Sequence, residues 1–144
     1  MNQESWKELQ NCIEKEMEKE VYLMRELLSN MHQEEVSLML QDKAALAATL
    51  DKRSSLLETL GSLRKNKQTM IKDLHGATPY FPSSIEMDTL YEQLNVLSEK
   101  IHRQFTTNRK LTLYPDRYLP HLEYLHEKTK AAQKTKVITL QINK

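Results

Sequence analysis

Residues 21–63, VYLMRELLSNMHQEEVSLMLQDKAALAATLDKRSSLLETLGSL, hold two apolar stripes with one turn between them. Val21, Met24, Leu27, Leu28 and Met31 come before the turn; Leu46, Leu50, Leu57, Leu60 and Leu63 come after it. Both sets step mostly by three or four residues, which places each on one face of an α-helix. Met39-Leu40-Gln41-Asp42 lies between them. Asp42 suits an N-cap, since its carboxylate can accept from the exposed amides of the next turn. Ala44, Ala45, Ala47 and Ala48 then favour helix. Two amphipathic helices on a short link form an antiparallel hairpin, whose open apolar side needs a cover.

Working back from the hairpin, Trp6, Leu9, Ile13 and Met17 extend the first stripe towards the N-terminus. Ser5 and Glu8 make an S-x-x-E capping box, so the first helix is expected over about 5–38. Glu14, Glu16, Glu18 and Glu20, with Lys15 and Lys19, read as its wet side. The second helix is expected over about 43–75, with Gly61 as its weak point. The stretch Arg64-Lys65-Asn66-Lys67-Gln68 thins the stripe before Met70, Ile71 and Leu74 resume it. Gly76 reads as the residue that ends this helix in the left-handed region.

Residues 76–82, GATPYFP, break the pattern, because two prolines in four positions forbid a regular helix. Tyr80 and Phe81 are expected to plug one end of the helices. Ser83 and Glu86 read as a second capping box. Behind it Met87, Leu90, Leu94, Leu97, Ile101 and Phe105 form a third stripe, over about 83–112, that could cover the hairpin. The expectation is an all-α chain: an elongated antiparallel three-helix bundle over residues 1–112, built from a long helical hairpin and a third helix. A short C-terminal helix and tail follow over 113–144. Pro115 and Pro120 interrupt the stripe there, Pro120 suits the first position of a helix reaching about residue 134, and residues 136–144 alternate weakly.

Composition agrees with long helices. Two glycines, four prolines and few aromatics leave little turn or sheet chemistry. No stretch approaches the ~20 apolar residues of a membrane span. The N-terminus lacks the basic and apolar runs of a secretory signal, and Cys12 has no cysteine to pair with, so a reducing cytoplasm is the expected home. Cys12, beside Ile13, is expected to be a small buried or half-buried hydrophobe. The net charge is +1, but residues 1–60 carry 12 acids against 7 bases and residues 100–144 carry 3 against 10. The basic end suits an acidic partner or serves as a solvated counterweight.

Catalytic chemistry is thinly represented. Glu99-x-x-His102 and Glu123-x-x-His126 share the tetrad of di-iron bundles, but Glu99 lies off the apolar face and two prolines separate the motifs. No metal or other cofactor is expected, nor an enzyme. Gly61 and Gly76 are isolated, so no phosphate-binding loop forms, and no nucleophilic triad is legible. The basic third lacks a nucleic-acid module with interleaved aromatics, so nucleic acid is not an expected partner. The seven methionines read as core filler, or as an adaptable helix-binding surface.

The stretch 23–64 resembles the FlgN family of export chaperones. The likeness rests on Leu27-Leu28 in a long Leu/Glu-rich helix, Asp42 in the turn, Leu46, Arg53 ahead of Leu56-Leu57, Leu60 and the trailing Arg64. Asn108-Arg-Lys-Leu111, followed by an amphipathic end, is similar to that family's third helix and C-terminal region, while the two late prolines and the long tail depart from it. The resemblance implies a cytoplasmic chaperone for a flagellar or related type III system. It would bind an amphipathic helical end of a structural subunit, block premature polymerisation and aid delivery to the export machinery. The implied partner surface is C-terminal: Leu111, Tyr114, Tyr118, Leu122 and Leu125 for apolar contact, Arg109, Lys110 and Arg117 to steer an acidic helix. Homo-oligomerisation stays open. The alternative is a coiled-coil stalk or scaffold component of the same apparatus, resembling the FliJ family.

Overall fold

The computed structural model describes residues 3–77 and 84–113 of the chain. They form three α-helices and, among the described residues, no strand: α1 (Gln3–Leu40), α2 (Lys43–Ala77) and α3 (Ile85–Leu113). At 1.5 Å per residue the 38 residues of α1 span about 57 Å. No helix among the described residues is long and apolar enough to cross a membrane.

The turn forms as its residues dictate. The Gln41 amide donates to the Leu38 carbonyl at 3.2 Å and the Asp42 amide to the Ser37 carbonyl at 3.0 Å, the paired bonds of a Schellman ending. Gln41 occupies the left-handed region, with φ 55°. Asp42 then caps α2, its Oδ1 accepting from the Ala45 amide at 3.0 Å.

The other helix ends differ from the sequence reading. α1 already begins at Gln3, so Ser5 lies inside its first turn rather than at the cap. The α3 cap is Ser84, not Ser83: Ser84 Oγ accepts from the Met87 amide at 3.0 Å. Its hydroxyl also donates to Glu14 Oε1 on α1 at 2.6 Å. Gly76 has no positive φ and sits within the last turn of α2, which runs on to Ala77.

The contacts make α1 the centre. It packs against both α2 and α3, while no Cα of α2 comes within 8 Å of a Cα of α3. α2 runs antiparallel to α1, since Asn30 meets Thr49 near the turn and Glu20 meets Lys67 far from it. α3 runs parallel to α1, with Glu14 beside Ser84 and Met31 beside Asn108. The sequence suggests that α3 covers the open side of the hairpin; instead it lies along α1 and leaves a gap to α2.

The buried stripes keep a strict alternation of three and four, but they are partly polar. On α2 the row is Leu46, Thr49, Arg53, Leu56, Leu60, Leu63, Lys67, Met70 and Leu74, all buried or half-buried. Leu50 and Leu57 fall one residue off it and are exposed. On α1, Ile13, Met17, Val21, Met24, Leu27 and Met31 are buried, together with Glu20 and Glu34. Glu20 is therefore not on the wet side: it is 3% exposed and accepts from Lys67 Nζ at 2.7 Å. Glu34 is held likewise by Arg53 Nη1, at 2.9 and 3.0 Å to its two oxygens. Each pair places a buried carboxylate against its cation, the condition for tolerating charge in a core.

On α3 the alternation runs Met87, Leu90, Leu94, Leu97, Ile101, Gln104 and Asn108. Phe105 falls one residue off the row and is 45% exposed, although its chemistry suits a core. Gln104 and Asn108 are buried instead. Asn108 Nδ2 donates to the Met31 carbonyl at 2.9 Å, and Gln104 Nε2 donates to Glu35 Oε2 at 2.6 Å and Asn108 Oδ1 at 2.9 Å. These bonds satisfy the buried amides and fix α3 lengthwise on α1.

Candidate functional site, an apolar groove between α2 and α3

The gap between α2 and α3 is a groove with α1 as its floor. Met24, Leu27 and Met31 line the floor, Leu57 and Leu60 the α2 wall, and Ile101 and Phe105 the α3 wall, around a cavity of about 440 Å³. A second cavity, of about 430 Å³, continues it towards the end of α3, lined among others by Leu46, Leu50, Phe105, Arg109 and Leu113. Arg53 and Phe105 line both, so the two cavities adjoin end to end along the gap. Its walls stay apart because α1 presents α2 and α3 with different sides of its stripe. Glu20, Asn30 and Glu34 bond α2, while Gln10, Glu14 and Glu35 bond α3.

The walls leave apolar side chains in solvent. Leu57 is 50% and Phe105 45% exposed, and Leu50 and Leu113 are exposed as well. Lone exposed apolar residues are ordinary, but several on facing walls of one gap make a surface that gains by being covered. Methionine suits the floor because its unbranched, polarizable side chain adapts to different shapes.

The charge along the groove is basic. Arg53 and Arg64 line the α2 side and Arg109 the α3 side, with Glu34 the carboxylate among the lining residues. Arg53 is committed to Glu34. Arg64 Nε stands 3.8 Å from Glu20, a carboxylate already bonded by Lys67 at 2.7 Å, and Arg64 Nη2 rests 3.6 Å from Met24 Sδ. Among the described residues Arg109 has no hydrogen-bond or ion-pair partner.

Of the partner residues expected from sequence, the structure places three. Arg109 lines the groove, Leu111 is half-buried and Lys110 is exposed on the last turns of α3. Tyr114, Arg117, Tyr118, Leu122 and Leu125 lie outside the described residues, as do Tyr80, Phe81 and the Glu123–His126 tetrad. The groove residues Leu50, Leu57 and Phe105 were legible only as core. Their signal is their offset by one from the three-four rows of their helices.

Three further sequence readings fall on described residues. Among the described residues no group of three or more His, Cys, Asp or Glu could hold a metal ion, and Glu99 instead pairs with Arg103 at 3.6 Å on the surface. Cys12 is exposed rather than buried, one residue from the buried row at Gln10 and Ile13. Met17, Met24, Met31 and Met87 are buried, and Met24 and Met31 also lie beneath the groove.

Compared with known protein families, with curated proteins and with solved structures, the chain finds no match.

Proposed function

We propose that this chain is a cytoplasmic export chaperone of the kind the FlgN resemblance implies. Its α2–α3 groove receives an amphipathic helical end of a flagellar or type III structural subunit. The observation that carries this reading is the channel itself: an adaptable Met24–Leu27–Met31 floor between walls that leave Leu57 and Phe105 half in water. A helix laid there with apolar residues at i, i+3, i+4 and i+7 would cover both walls at once. While it is held, the apolar face that the subunit needs for polymerisation is out of reach. The whole chain then reads as an elongated three-helix bundle with a C-terminal helix and tail. Tyr114, Arg117, Tyr118, Leu122 and Leu125 would extend the contact beyond Leu113, and the loaded chaperone would present its client to the export machinery.

The test is calorimetric titration of the full chain with synthetic peptides spanning the terminal helices of such subunits from the same genome. One peptide per chain should bind. Leu57→Glu combined with Phe105→Glu should weaken it at least tenfold, with an unchanged circular dichroism spectrum. Absence of binding by every peptide, or binding indifferent to the double variant, overturns the proposal.

A further inference from the structure

We infer that the helix this groove selects is acid-edged: about four to five turns long, with carboxylates on both edges of its apolar stripe. The inference rests on the groove being the client seat. It deepens that reading by assigning the chemistry of the client.

Length comes from the walls. Lining residues run from Leu46 to Arg64 on α2 and from Ser98 to Leu113 on α3, about 27 and 23 Å at 1.5 Å per residue. Edge chemistry comes from the arginines. Glu34 occupies Arg53, and Lys67 already offsets Glu20, so Arg64 on one rim and Arg109 on the other are in surplus. Arg64 stands at the level of Met24, and Arg109 follows Asn108, which stands at the level of Met31. The two surplus arginines thus stand at levels about 10 Å apart along the axis, on opposite rims. A helix between them meets both cations if it carries acids about two turns apart, one on each edge. Carboxylates suit arginine here because the planar fork donates two parallel N–H bonds to their two oxygens.

The same charges disfavour the other occupants. Residues 114–144 carry six Lys or Arg against three Asp or Glu, so this chain's own end would bring like charge to the rims. A second copy related by a twofold axis would set Arg64 and Arg109 of one protomer against those of its partner.

The experiment uses three 18-residue peptides that share one Leu/Ala stripe and differ only at their edges, carrying Glu, Gln or Lys. Each is titrated into the full chain at 50 and 500 mM NaCl. The Glu-edged peptide should bind about tenfold more tightly than the Gln-edged one and more tightly still than the Lys-edged one, with the difference shrinking at high salt. Arg64→Glu with Arg109→Glu should remove the preference for Glu edges. Equal binding of the Glu and Gln peptides overturns the edge assignment while leaving the seat intact, and failure of all three overturns the seat and the assignment together. A dimer in sedimentation that Phe105→Glu dissolves, or tighter peptide binding after Leu122→Glu with Leu125→Glu, assigns the groove to a second copy or to the chain's own end and overturns the inference.

Discussion

Arg53 of α2 and Phe105 of α3 face each other across the groove, the guanidinium carbon 6.0 Å from the ring centroid. The same arginine holds Glu34 on α1, so one side chain links all three helices. The face-on contact is worth about 0.5–1 kcal/mol at a partly exposed site. With the covered half of the ring added, Phe105→Ala is expected to cost about 1–2 kcal/mol. Leu94→Ala, in the buried row of the same helix, should cost about 2–4 kcal/mol. Urea unfolding followed by circular dichroism measures both, and equal losses would return Phe105 to the core.

Removing Arg53 strands Glu34, which is enclosed by α1 and α2. Arg53→Ala is expected to cost about 2–4 kcal/mol, most of it from the carboxylate left without a partner. Pairing the change with Glu34→Met should restore the greater part of the loss. A double-mutant cycle that shows no coupling contradicts the assignment.

Gln41 ends α1 in a conformation that glycine adopts without strain. Gln41→Gly should raise stability by about 1 kcal/mol, because relief of the left-handed strain outweighs the added freedom of the unfolded chain. A lower urea midpoint for the variant would show that the Gln41 side chain contributes something its backbone geometry does not reveal.

Gly61 is an exposed position inside α2, and a Cβ built there meets nothing within 4 Å. Gly61→Ala should stabilise the chain by about 1 kcal/mol through helix propensity alone. Gly61 stands one helical turn from both Leu57 and Arg64 on the groove wall, so urea unfolding without peptide is the measurement that isolates the gain.

Asn108 is 1% exposed and bonds the Met31 carbonyl in the C-terminal third of α1. Asn108→Ala removes that bond and one partner of Gln104, for an expected loss of about 1–2 kcal/mol. If the amide sets the position of α3, the variant should also speed hydrogen exchange along α3 more than along α2.

The existence of the three helices, their turn at Gln41-Asp42 and their bounds to within a few residues follow from the primary chain. Spacing by three and four and a capping carboxylate are local signals, and the local chain carries them in full. The core was legible only where it was apolar. Glu20 and Lys67 looked like solvent residues because burial of charge depends on a partner from another helix. One clue was available: fourteen residues separate Glu20 from Glu34 on α1, and fourteen separate Arg53 from Lys67 on α2, two heptads each. In an antiparallel hairpin that matching fixes the register of opposite charges.

Periodicity alone, then, determined that this chain is helical and where it folds back on itself, since the faces of a helix are set by its own sequence. Which face meets which neighbour was decided only in three dimensions. Asn108 reaches the Met31 carbonyl, Gln104 reaches Glu35, and α3 settles on α1 apart from α2. Phe105 and Leu57 consequently line an open channel and not a core, because a side chain's burial depends on what stands opposite it.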